Sequence, residues 1–222
     1  MLSYRIIVLL LVITFTACMT CSILFPIFRK VTSDPVEAMH TVRFWYKEST
    51  NTTTSTGSSG ELIMRYYTHN LACQQARVLY VALSALSVAA AGISGVACLV
   101  IACWTTAGYN VSIGVVTLLL TSFAMASAVA VVGVTTYVYT HDFCVNDPTA
   151  FEKSPQRDGY HLTEGFILLC AAAGGFLLTV MIQVIGFCCG CQPLTEFHAG
   201  ESHPKSPGDS GRSDGDLSIS RS

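Results

Sequence analysis

Charge is what this chain has least of: Asp, Glu, Lys and Arg make up 12% of its 222 residues, about half the share of an ordinary soluble domain. With 12 basic against 14 acidic side chains the net charge is -2, so no basic footprint for nucleic acid exists. Catalytic signatures are missing as well, since no Ser/His/Asp or Cys/His arrangement follows a recognised local pattern. Six histidines are present, but His40, His69, His141 and His161 match no metal-ligand spacing and read as solvated loop residues. These absences exclude a soluble enzyme and a nucleic-acid binder, and they leave no expected active site, metal or cofactor.

In place of charge the chain carries apolar sequence, 51% of the total, concentrated in four uncharged stretches of 22, 26, 27 and 23 residues. Each reaches the roughly 20 residues needed to cross a hydrocarbon core about 30 Å thick. The spacing predicts transmembrane helices over residues 6–27, 78–103, 111–137 and 165–187, an all-α four-helix bundle. None of these segments contains an ionisable side chain of the kind used in proton relays and coupled ion pathways, which argues against a pump. Their polar residues, among them Ser84, Ser87, Ser94, Thr121, Ser122 and Gln183, are expected to serve as helix-to-helix hydrogen bonds. Small residues at four-residue spacing, Ala91 with Gly95, Ala126 with Ala130 and Ala171 with Gly175, are expected to let the helices of one chain approach closely. The first segment follows Arg5 and outruns a secretory signal core, so it reads as an uncleaved anchor.

Four crossings leave the termini, 1–5 and 188–222, on one side together with the short turn 104–110, which forces the second and third helices into an antiparallel pair. Loops 28–77 and 138–164 share the other side. Two rules then conflict. The loops carry more Lys and Arg than the terminal face, which taken alone would make them cytoplasmic. Against this, Asn51-Thr52-Thr53 is a glycosylation sequon in a polar stretch, a modification added on the lumenal side. The sequon decides the expectation: extracellular loops, cytoplasmic termini, plasma membrane. A second sequon at Asn110 lies at a helix mouth and is expected to stay unused. The tail 192–222, with seven Ser, four Gly and three Pro, reads as disordered.

The ten cysteines divide by depth. Cys18, Cys21, Cys98, Cys103 and Cys170 lie in apolar segments as small hydrophobes. Cys188, Cys189 and Cys191 follow the last span, where thiols are either palmitoylated or inert. Cys73 and Cys144 alone fall outside both groups, each close to a helix end. A disulfide between the loops is expected there, with free thiols or pairing between chains as the alternatives.

The first loop shows alternation from His40 to Lys47 and an aliphatic and aromatic run from Leu62 to Tyr67, separated by the Ser/Thr/Gly tract 49–60. These read as two strands of a small hairpin or sheet with a flexible connection, needing a third strand or the helix tops for support. Phe44, Trp45, Tyr46, Lys47, Arg65, Tyr66 and Tyr67 are the expected recognition surface, rich in the residue types that dominate binding hot spots.

Taken in order, these features resemble the amastins, four-span surface glycoproteins of trypanosomatid parasites. The similar elements are Phe25-Pro26-Ile27-Phe28-Arg29 closing the first span, the aromatic and basic stretch of loop one, and Cys73 followed by Arg77. Loop two adds Cys144 and Tyr160 ahead of Gly165-Phe166. In the family's loop signature Phe44 takes the aromatic position and Lys47 the basic one. Trp45 stands where that signature has Gly, and His40 and Thr50 stand where it has two cysteines. The resemblance implies a non-enzymatic surface glycoprotein whose partner is a host-cell surface protein or lipid, besides the membrane lipids around it. Claudins share the four-span layout, but their Trp-Gly-Leu-Trp motif is absent. An oligomeric channel, or a claudin-like pore or adhesion protein built from several copies, is the alternative.

Overall fold

The computed structural model of the protein describes residues 2–32, 38–55, 58–106 and 111–188. Four long helices, α1 (Leu2–Leu24), α2 (Gln74–Thr106), α3 (Val111–Thr140) and α4 (Glu164–Cys188), are long and apolar enough to cross a membrane. α1 packs on α2 and α4, and α3 on α2 and α4, which closes a four-membered ring. Its interior is filled by Val8, Val12 and Met19 of α1, Ala97 and Trp104 of α2, Ala124 and Ala128 of α3, and Leu169 and Phe176 of α4. Outward-facing residues are apolar too, including Leu10, Leu99, Phe123 and Ile167. A surface apolar on every side is far beyond what a water-soluble monomer exposes and suits a multi-pass membrane protein.

Helix ends depart from the uncharged stretches for local reasons. α1 stops at Leu24, short of the expected 27, because Pro26 has no N–H to donate and disfavours helical backbone in the residue before it. At its other end α1 takes in Arg5, which is buried, donates to the Trp104 carbonyl at 3.2 Å and lies 4.8 Å over the Trp104 ring. The helix thus extends past the uncharged stretch 6–27 to take in the basic residue that precedes it. α2 runs 33 residues, about 50 Å at 1.5 Å per residue, longer than the roughly 30 Å that crossing a hydrocarbon core requires. Its surplus supports the loops.

Most buried hydroxyls do not link helices as expected. Ser87, Ser94, Thr121 and Ser122 donate to carbonyls three or four residues back on their own helices. Gln183 does reach across from α4 to the Thr121 hydroxyl, at 3.4 Å. The small residues are also redistributed. Ala126, Ala130 and Ala171 face outward, while Ala124 and Ala128 supply the four-residue pair of the α3 interior. Gly175 does permit a close approach: a methyl group built there would run into the ring of Phe15. Gly175→Ala is accordingly expected to cost about 1–3 kcal/mol through overpacking, and Phe15→Ala in the same chain to return part of that loss. Thermal unfolding of the single and double variants in detergent measures this coupling.

The loops at one end of the bundle form a single antiparallel sheet in the order β4-β3-β2-β1-β5. Loop one provides β1 (Phe28–Thr32), β2 (Ala38–Val42), β3 (Tyr46–Ser55) and β4 (Ser58–Tyr67); loop two provides β5 (His161–Leu162). β5 pairs with β1, setting Phe28 against Leu162 and Arg29 against His161, so the two loops share one sheet. The run from His40 to Lys47 is two strands and not one: the chain reverses at 43–45, where the Arg43 N–H donates to the Tyr46 carbonyl at 2.9 Å. Most of the Ser/Thr/Gly tract is also strand, with residues 56 and 57 outside the described residues. Its threonines are good strand formers, and β3 and β4 stay paired from Tyr46 with Tyr67 out to Ser55 with Ser58.

Candidate functional site

The sheet end is pinned to the helices from three directions. Cys73, just before α2, is joined by a disulfide to Cys144, just after α3, with Cα atoms 6.0 Å apart. The Ser84 hydroxyl of α2 donates to the Phe44 carbonyl at 2.6 Å, holding the 43–45 turn against the helix. Gly165, opening α4, lies so close to the end of α1 that a methyl group there would meet the Pro26 carbonyl oxygen at 2.6 Å.

Loop two is fastened to the sheet by ion pairs: Lys47 with Glu152, Lys30 with Asp158 at 3.3 Å, and Arg29 with Glu164 at 3.6 Å. Within the loop, Asp142 accepts from the Ser154 N–H at 2.8 Å and pairs with Arg157. The Ser154 amide, and then the Arg157 guanidinium, hold the Asp142 carboxyl below the usual carboxylate range. Its contribution to order in loop two is therefore present above the ordinary carboxylate pKa and is lost as pH falls through the lowered value. Burial, reinforced by the charges of Asp158 and Glu152, raises the Tyr160 phenol, so it stays a neutral donor.

The residues expected to form one recognition surface have three fates. Phe44 is 1% exposed and belongs to the core, a correction with a clear cause: the chain reverses there, and the Ser84 hydroxyl of α2 holds its carbonyl against the helix. Lys47 is half-buried and committed to Glu152, 5.9 Å from the Tyr80 ring. Trp45, Tyr66 and Tyr67 are exposed, and Tyr46 is half-buried.

On one sheet face these residues assemble into a cluster. The guanidinium groups of Arg43 and Arg65 lie 5.5 and 5.3 Å from the Tyr46 ring. Tyr67 meets Tyr46 edge-on at 6.4 Å and His69 at 5.5 Å. The backbone of Trp45, next in the chain to Tyr46, is fixed by its carbonyl, which accepts both the N–H and the hydroxyl of Thr68 at 3.1 Å, and its ring is exposed. Arg43 was not among the residues expected on the recognition surface, and alternation set it on the face opposite Tyr46; the turn at 43–45 is what brings the two together. His69, expected as a solvated loop histidine, packs against Tyr67. The opposite face carries a groove of about 260 Å³ lined by His40, Lys47, Ser49, Met64, Tyr66 and Tyr160. Tyr160 arrives from loop two, and nothing in the sequence links it to Tyr66.

The backbone of Asn51 pairs with Ala38 and Leu62, but its side chain lies outside the described residues, as do Asn110, Cys189, Cys191 and the tail 192–222. Cys188 ends α4 as an exposed free thiol. Among the described residues no three His, Cys, Asp or Glu side chains come together in a way that would hold a metal ion. Comparison with protein-family models finds no match for this chain, and a search of curated proteins finds none either.

Proposed function

We propose that this chain is an amastin-like multi-pass glycoprotein of the plasma membrane, non-enzymatic, whose two extracellular loops present a recognition face to a protein or lipid on a host-cell surface. The observation that carries the reading is the cluster of exposed Trp45, Arg65 and Tyr67 around half-buried Arg43 and Tyr46 on a disulfide-tied, ion-paired cap. Trp, Tyr and Arg are the side chains that carry most binding energy at interfaces, and here they are held in place before any partner arrives, which lowers the entropic cost of association. The N- and C-termini are cytoplasmic on this reading, Asn51 is glycosylated, and Cys188, Cys189 and Cys191 are candidates for acylation beside the inner leaflet.

The test is adhesion of cells displaying the full chain to host cells. Trp45→Ala combined with Tyr67→Ala is expected to reduce adhesion by at least about 30-fold, the effect of losing roughly 2 kcal/mol at a hot spot. Surface density should be unchanged. Full adhesion at equal density would remove the recognition reading. Orientation is read on the same cells: Asn51→Gln should abolish the mobility shift on deglycosylation, and a tail epitope should be reached by antibody only after permeabilisation.

A further inference from the structure

We propose that the free edge of β4 joins two copies of this chain, edge to edge, in one continuous antiparallel sheet. Among the described residues β4 has β3 on one side and no strand on the other. Natural edge strands are normally blunted by shortness, by proline, by several lysines or by a bulge. β4 shows none of these: it is ten residues long, contains no proline and a single basic residue, and keeps unbroken register with β3 throughout. The other edge of the sheet, β5, is only two residues long. The half of β4 nearer α2 is exposed at Ile63, Met64, Tyr66 and Tyr67.

The partner is identified by the strand's own sequence, which is complementary to itself when reversed. Its only charged residues are Glu61 and Arg65, symmetric about Ile63. A two-fold axis through Ile63 sets Glu61 of one copy opposite Arg65 of the other, twice over. The same register sets Leu62 against Met64, Gly60 against Tyr66 and Ser59 against Tyr67. Opposite charges, apolar pairs, and an aromatic ring over a glycine are the favourable cross-strand combinations. Slipping by one or two residues in either direction destroys both charge pairs and sets Glu61 opposite Met64, Tyr66, Ile63 or Tyr67. Arg65 would turn to the partner from its present contacts, Glu48 at 3.8 Å and the Tyr46 ring at 5.3 Å, and its 55% exposed side chain has the room to do so.

This dimer uses the backbone edge, while Tyr66 and Tyr67 stand on the two faces of the sheet. Trp45 and Tyr67 on one face and the groove on the other therefore remain presented, now in duplicate, while Arg65 is shared with the seam. The proposal needs only that the sheet lie in water, and it holds for either orientation of the chain in the membrane.

Cross-linking of the full chain in native membranes tests it. Ile63→Cys, treated with a water-soluble bifunctional thiosulfonate, should give a dimer band; the unsubstituted chain and Val31→Cys, an equally exposed position on β1, should not. Directly opposed residues have Cβ atoms about 5 Å apart, within reach of the shortest reagent. In the Ile63→Cys background, Arg65→Glu or Glu61→Arg alone should reduce the band about fivefold by opposing like charges, and the two together should restore it. An intact Cys73–Cys144 bond in each variant shows that the cap has folded. Equal cross-linking at Val31, indifference to the single reversals, or an adduct with a different protein in place of a second copy would each overturn the proposal.

Discussion

Phe44→Ala is expected to destabilise the sheet end of the molecule by about 3–5 kcal/mol, the usual cost of emptying a buried aromatic site. Phe44 is almost wholly buried, and its backbone carbonyl is held by the Ser84 hydroxyl of α2. Removing the ring leaves the hydrogen bonds of that turn in place but opens a cavity at the buried site. Trp45→Ala, one residue along, removes a larger ring, yet is expected to change stability by no more than about 0.5 kcal/mol, because the side chain is 45% exposed and its carbonyl still accepts from Thr68. Thermal unfolding of the two variants in detergent makes the comparison, with wild-type adhesion expected at early temperatures for neither: Phe44→Ala loses it with the fold, Trp45→Ala without unfolding. Equal melting temperatures would return Phe44 to the surface where the sequence reading had it.

Loss of the disulfide is expected to have an effect of similar size. Cys73 and Cys144 are 71 residues apart in sequence, and closing a loop of that length restricts the unfolded chain by roughly 4 kcal/mol. Two spanning helices lie within the closed loop, and a membrane or micelle already confines them in the unfolded ensemble, so the measured loss should be smaller. Cys144 also sits at φ 54, a backbone conformation that L-residues with a side chain rarely adopt, so serine at this position keeps the strain and loses the bond that holds it. Cys73→Ser with Cys144→Ser should lower the melting temperature by several degrees, and a reductant should bring the wild type down to the same value without moving the double variant. A wild type indifferent to reductant would refute the stabilising role. The bundle itself should persist, because its interior from Val8 to Phe176 makes no use of the bond.

Much of the architecture was legible in the residues. Uncharged runs announced four helices because crossing a hydrocarbon core is a demand on length and composition alone. Cys73 and Cys144 could be paired because depth in the chain eliminated the other eight cysteines, and the short turn between α2 and α3 made their helices neighbours. Helix ends were less legible. Charge marked where apolar sequence stopped, whereas Pro26 decided where α1 ended.

The loops divide more sharply between the two sources. Alternation from His40 to Lys47 is a property of neighbouring residues, so the sequence determined that strands form there and that aromatic and basic side chains would cluster in them. It could not determine that the chain turns back at 43–45, since that depends on α2 standing about 50 Å long and offering Ser84 to the turn. Phe44 and Trp45, equivalent as large aromatics in the sequence, were thereby sent to opposite environments. Tertiary structure alone also recruited β5 from loop two, brought Tyr160 to the groove beside Tyr66, and left β4 at an open edge. The physical reason is common to all of these: strand propensity and apolar length are set by residues close in sequence, while burial and strand partnership are set by whichever distant surface the fold brings alongside.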